Sequence, residues 1–383
     1  MNPPPISRRG LLTAGAATAG LAVVEAGTPA RATTPGTAPT AASVPAGAGP
    51  AGELYLPEVD ADTIAVLDTA TNTFTRRIPV GPKATRPAVL AITPDGNKIY
   101  SDNFGVLPAT ISIIDRARNT TKTLQVASTP LGAFTSNDGT EIFLPELGFQ
   151  IEVVSTETDQ VVRRFRFADI PVGSIMGPDG LLYVGFATGF IGAYDAKTGA
   201  VVKKPIWSGG VATFWYTFTA DGKKLYTDTV NSIGVIDLER WKLTRIIPTS
   251  GRNFWLPTDP GAFTSTLAPS GDKLYVTLFG GTDMLIVDVA TDRITGRIKT
   301  EGATTGVTFS ADGTRGYLSD LGSGTKWLPT PVGEAIAFFN LILVGALGPG
   351  RLIVFDPRTD QVLETLPTRP GPGISAWVPP ISR

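Results

Sequence analysis

The amino-acid sequence predicts an all-β fold: a seven-bladed β-propeller of four-stranded antiparallel blades, closed by a composite blade made from both ends of the chain. Three observations predict it. Residues 261–300 form one clean repeat, GAFTSTLAPSG, DKLYVTLFGG, TDMLIVDVATD and RITGRIKT. Its four segments alternate apolar and polar residues or run apolar, and turn-forming residues separate them. Two independent markers then count the same number of copies. An aromatic recurs at Tyr55, Tyr100, Phe143, Tyr183, Tyr226, Tyr275 and Tyr317, in steps of 45, 43, 40, 43, 49 and 42 residues. A polar residue closes the third strand at Asp68, Asp115, Ser155, Asp195, Asp237, Asp288 and Asp356, with a Thr three residues later in five of the seven. Third, the two ends complement one another. GELYLPEV starts directly on a second strand, while PGPGISAWVPPISR is a lone first strand, so Ile374 to Val378 is expected to join Leu54 to Pro57. A ring of stacked blades buries both faces of each and leaves only short edges.

In chain order, residues 1–32 read as a twin-arginine signal peptide. Ser7-Arg8-Arg9-Gly10-Leu11-Leu12 precedes a weakly apolar stretch over residues 11–24, and Ala30-Arg31-Ala32 is an A-x-A-like cleavage site. With no cysteine, a lipoprotein anchor is excluded. Residues 33–52, rich in Thr, Pro, Ala and Gly, read as a disordered linker. Residues 53–383 are the propeller. The expected location is extracytoplasmic, and the expected oligomeric state is a monomer.

Composition removes whole classes of chemistry. The chain has no Cys and no His, which excludes disulfides, a thiolate nucleophile, Ser-His-Asp catalysis, imidazole-ligated metal and His-ligated haem. A net charge of −1 provides no basic footprint for nucleic acid. No cofactor is expected. The 43 Gly and 32 Pro suit many tight turns.

The repeats resemble the YVTN-type seven-bladed propeller family. Lys273-Leu274-Tyr275-Val276-Thr277 is close to its second-strand signature, and Asp68-Thr69-Ala70-Thr71-Asn72 is similar to its third-strand ending. Pro94-Asp95-Gly96, Pro178-Asp179-Gly180 and Ala311-Asp312-Gly313 are similar to its first hairpin. The resemblance covers roughly residues 52–383 and implies the fold. It implies little about function, because that family includes surface-layer proteins, periplasmic binding proteins, redox-enzyme propellers and cofactor-free lyases and lactonases. The histidine mechanism of streptogramin-type lyases does not carry over to a chain without histidine.

Residues that recur at equivalent positions are read as structural, so chemistry is expected where the repeat breaks. Two breaks are large. From Tyr317 to Asp356 is 39 residues, against 11 to 15 in the other blades, which marks residues 324–350 as an insert between the second and third strands of blade 7. From Asp237 to Tyr275 is 38 residues, against 28 to 32 elsewhere, which places a second excess at residues 250–260 before blade 6. Both loops open on the same face of a propeller, and loops on a rigid scaffold carry function. Within the first insert, residues 335–347 form the most apolar run in the chain, too short to span a bilayer. It is read as a helix packed over the channel mouth, in preference to a pocket wall or a peripheral membrane contact.

The ligand-binding candidates on this face are Arg86, Asn103, Arg252, Asn253, Trp255, Trp327, Phe338 and Phe339. Without histidine, acid–base work falls to carboxylates, and the catalytic candidates are Asp102, Glu146, Asp228 and Asp320. Asn231, Asp259 and Asp283 lie in the same set of loops. Asp102, Asp228 and Asp320 each follow a blade aromatic by two or three residues; turn capping is preferred over a divalent-cation site, and no metal is expected. The favoured reading is a secreted propeller that binds a small, partly apolar ligand or a protein partner on the insert-bearing face. Two alternatives are a cofactor-independent lyase, cyclase or hydrolase using carboxylates under the apolar insert, and a structural cell-envelope propeller.

Overall fold

Each repeat folds as its period-2 pattern requires. The computed structural model describes residues 51–105, 108–252, 256, 259–325 and 345–380. They form seven four-stranded antiparallel sheets, with two 3-10 turns at Val59–Ala61 and Ser323–Thr325. The chain is thus an all-β seven-bladed propeller. Every marker aromatic lies in the second strand of its blade and is buried, because that strand is covered by a neighbouring blade on each side. Outermost strands such as Gln160–Arg166 alternate exposed and covered residues, as strands with one solvated face do.

The third-strand aspartates cap turns. Asp195 accepts the backbone N–H groups of Lys197 and Thr198, and Asp288 does the same for Thr291. The next turn residue adopts a left-handed backbone at Asp159, Asp292 and Asp360, with φ of 53°, 53° and 61°.

Ring closure follows the prediction. Ala376–Val378 pairs antiparallel with Glu53–Glu58 in the register Glu53 to Val378, Leu54 to Trp377 and Tyr55 to Ala376. The strand is shorter than expected at its start, because Ile374 instead bridges in parallel to Val89 of blade 2. Arg116 of blade 2 locks the seam. Its guanidinium donates to Glu53 at 3.0 Å, to the Tyr55 hydroxyl at 3.0 Å and to the Pro379 carbonyl at 3.0 Å, so one side chain holds both ends of the chain.

Candidate functional site

The first strands line the central channel, and five of them break register near its mouth. The breaks fall at Pro87/Leu90, Pro171/Gly173, Thr213/Trp215, Ala262/Ser265 and Thr304/Val307. Such bulges re-aim side chains and free backbone N–H groups from the ladder. The breaks of blades 4, 5 and 6 contain the apolar residues Val172, Phe214 and Phe263. A buried cluster of Val59, Phe104, Phe279, Leu321 and Leu347 forms at the mouth, with Phe214 and Phe263 against it. The Phe214, Phe263 and Phe279 rings meet at centroid distances of 4.5 to 6.2 Å. Leu347 is the described end of the blade 7 insert; its N–H donates to Asp60 of blade 1 at 2.6 Å. The end of the insert around Leu347 therefore packs toward blade 1, while Thr325 at its start bonds to Ala303 and Gly322 of blade 7.

Beneath this cluster lies a cavity of about 60 Å³ whose walls come from six blades, among them Phe104, Leu131, Val172, Phe214, Trp215 and Phe263. Asp102 is the one ionisable residue in those walls. It lies in the second strand of blade 2, Lys98–Asn103, and is fully buried. Its Oδ1 accepts the Ala88 N–H at 3.1 Å and the Val89 N–H at 2.6 Å, the two groups freed by the bulge. Its Oδ2 is buried and has no hydrogen-bond partner. Burial pushes the Asp102 pKa up to about 7, and the two N–H groups only partly oppose it.

Blade 6 shows what the bulge itself needs. There Thr277 occupies the position of Asp102, two residues after the marker tyrosine, and its hydroxyl accepts the Thr264 N–H at 3.0 Å. There a neutral hydroxyl takes one of the bulge N–H groups. In blade 2 an aspartate does the same work and has an oxygen to spare.

The other candidates separate into kinds. Asp228 is fully buried between blades 5 and 6; Oδ2 accepts the Ser265 hydroxyl at 2.6 Å, Oδ1 has no partner, and burial raises its pKa to about 8. It does not line the cavity. Glu146 in blade 3 accepts from Gln150 at 2.7 Å; burial, then the charge of Glu152, raises its pKa to about 8. Asp320 is saturated: it takes the N–H groups of Glu301, Gly302 and Gly322 and pairs with Arg351 at 2.7 Å. Asp102, Asp228 and Asp320 do not come together, and no metal-holding group of three carboxylates exists among the described residues.

Arg86 pairs with Asp60 at 2.9 Å at the edge of the mouth. The Asn103 amide is engaged by Thr110 and Ser112 inside its own blade. Arg252 is half exposed, 3.7 Å from Asp259. Asn253, Trp255, Trp327, Phe338 and Phe339 lie outside the described residues.

The cavity liners Phe104, Phe214, Trp215 and Phe263 were not among the residues that the broken repeats pointed to. A signal for them exists in the sequence: the first strand of blade 5, Thr213–Phe218, reads TFWYTF, whereas that of blade 7, Thr304–Phe309, reads TTGVTF. An aromatic-rich innermost strand has a side that can face only the channel.

No family model matches the chain, and no curated protein sequence matches it. The YVTN resemblance therefore rests on the repeat residues alone. Among solved structures, the chain is similar to a dihydro-heme d1 dehydrogenase, NirN, in complex with DHE. The two share 15% identity at a TM-score of 0.56, over 88% of this chain and 77% of the other. At that identity the likeness shows the fold. Among the described residues no helix is long and apolar enough to cross a membrane.

Proposed function

We propose that this chain is an exported binding propeller that takes a small, partly apolar ligand at the channel mouth on the insert-bearing face. The observation that carries the reading is the apolar cavity on the channel axis with a buried carboxylate in its wall. Holding the bulge uses one oxygen of that carboxylate and leaves the other without a structural role. At about 60 Å³ the cavity is well below the hundreds of Å³ of a site that encloses a whole drug-sized ligand. It takes the end of a ligand, and the remainder lies at the mouth. The structural neighbour NirN was solved with DHE bound, which supports ligand binding at the level of the fold. Its dehydrogenase chemistry is not part of the proposal, since a likeness at 15% identity carries the fold and not the reaction.

The test is a filled cavity. Val172→Phe occupies the space without removing any polar group. Wild-type protein is expected to bind 3,3-dimethyl-1-butanol with a change in Trp215 fluorescence, and the variant to lose that binding while melting within a few degrees of wild type. Equal binding by both proteins would place the site elsewhere.

Proton transfer by Asp102 is the second reading, favoured by its pKa of about 7, where a general acid or base works best. Export through the twin-arginine route is part of the first reading. It predicts that Arg8→Lys with Arg9→Lys retains the protein in the cytoplasm, and unchanged secretion of that double variant would overturn it.

A further inference from the structure

We infer that the end of the ligand held in this cavity is a small organic ammonium group, with Asp102 as its counter-ion. The inference rests on the binding reading above and names the chemistry it selects.

Four observations carry it. Asp102 is the one ionisable residue of the cavity walls, and neither Lys nor Arg is among them. Its Oδ2 is buried without a partner, while Oδ1 alone satisfies the bulge. Thr277 shows that the fold accepts a neutral residue at the equivalent position. Finally, the surrounding walls are aromatic, from Phe104, Phe214, Trp215 and Phe263.

An ionised carboxylate is acceptor-only, so its complement is a donor or a cation. Aromatic faces carry negative quadrupole charge and attract a cation within about 6 Å, most strongly when it is desolvated. A neutral alcohol uses the carboxylate but gains little from the rings. A carboxylate or phosphate ligand is repelled. A guanidinium needs two in-plane acceptors to use its fork, and one free oxygen offers only one. An alkylammonium or trimethylammonium head uses both the oxygen and the rings. Asp102 is sealed from water, so its carboxylate is desolvated before the ligand arrives. The cation then gains low-dielectric attraction without stripping water from its partner. Asp228 also keeps an unpartnered oxygen, but its other oxygen holds Ser265 between blades and it does not line this cavity, so it carries no part of this site.

The experiment compares matched probes on the whole protein by calorimetry. Choline is set against 3,3-dimethyl-1-butanol, its neutral isostere, and ethylammonium against 1-propanol. In wild type at pH 8 the ammonium probes are expected to bind at least about tenfold tighter than their neutral partners, the size of a charge-assisted contact. In Asp102→Thr, which keeps an acceptor for the Val89 N–H, that ratio is expected to fall to about one. The same ratio should shrink in wild type as pH falls below 7, because protonation removes the charge. No other ionisable wall residue is there to produce that trend. If neutral and ammonium probes bind wild type equally, the ammonium assignment is wrong and the cavity reading stands. If neither binds, both fail. If Asp102→Thr keeps the ammonium preference, the preference arises elsewhere and the assignment is overturned.

Discussion

Two regions of this propeller use carboxylates in opposite ways. On the blade-to-blade seams away from the mouth, a Lys and a Tyr two residues apart in a second strand both reach an aspartate of the next blade. Lys98 and Tyr100 hold Asp159, with Lys122 as a third donor; Lys224 and Tyr226 hold Asp292; Lys273 and Tyr275 hold Asp360. The distances from the strand lysines are 3.0, 2.9 and 2.7 Å, so each of these aspartates has at least one cation beside it. At the ring closure the charges are inverted, with Glu53 in the strand and Arg116 in the next blade. Near the mouth, by contrast, Asp102 and Asp228 are fully buried, have no cation, and each keep one oxygen unused. Repetition with balance marks architecture. A surplus that also borders a cavity, as at Asp102 and not at Asp228, marks a place where something outside the chain is expected.

The largest expected effect comes from opening the closure seam. Deleting residues 373–383 removes the first strand of blade 1 and the Pro379 contact to Arg116, and it exposes sheet edges on both sides. A loss of several kcal/mol is expected, or at least about 10 °C in melting temperature. Melting at the wild-type temperature would contradict the closure.

The two kinds of carboxylate should also respond oppositely to pH. Burial alone would raise Glu53, but Arg76, Tyr55 and Arg116 overcome it and hold the pKa at about 2. A depressed folded pKa adds stability that is complete above the unfolded value, near 4.5, and is lost as pH falls toward 2. Asp102 and Asp228 have folded values raised to about 7 and 8, so they take stability away as pH rises from near 4 through that range. Asp228→Asn keeps an acceptor for Ser265 and should remove part of the alkaline loss. The variant is expected to gain on the order of 2 kcal/mol over wild type at pH 9 and little at pH 5. Glu53→Gln should instead lose about 1 kcal/mol near pH 7, after allowance for its partial exposure, and show a flatter acid limb. Thermal melts from pH 3 to 9 decide both, and a flat Asp228→Asn difference would sink the contrast between seam and mouth.

The repeat made the architecture legible because every blade had to solve the same burial problem with the same residues. Tyr226 and Asp288 could be assigned structural roles from their spacing alone. The ring-closing strand was legible for the same reason: an unpaired second strand at one end and an unpaired first strand at the other leave one way to complete seven sheets. The site was only half legible. Asp102 stands out by position, but its role depends on which bulge N–H groups it meets, and no period encodes that. Asp320 has a similar place in sequence and proved to be a loop organiser saturated by three N–H groups and Arg351. Trp215 and Phe263 were passed over because an aromatic in an innermost strand reads as ordinary core, although the run TFWYTF of blade 5 sets it apart from TTGVTF of blade 7.

The smallest expected effect lies at the tip of blade 3. Phe149 is half exposed and adopts φ of 59°, a left-handed backbone that a bulky residue rarely takes. Phe149→Gly should relieve roughly 1 kcal/mol of strain and raise the melting temperature slightly. A lower melting temperature would mean that the ring contributes packing that outweighs the strain.

The central claim is that the spare oxygen of Asp102 is held ready for a cation. The most direct measurement is the carboxyl 13C shift of Asp102, assigned by its disappearance in Asp102→Thr and followed from pH 4 to 9 with and without ethylammonium. The account predicts a midpoint near 7 that moves to lower pH when ethylammonium is added. A midpoint near 4, or one that ethylammonium leaves in place, would contradict it.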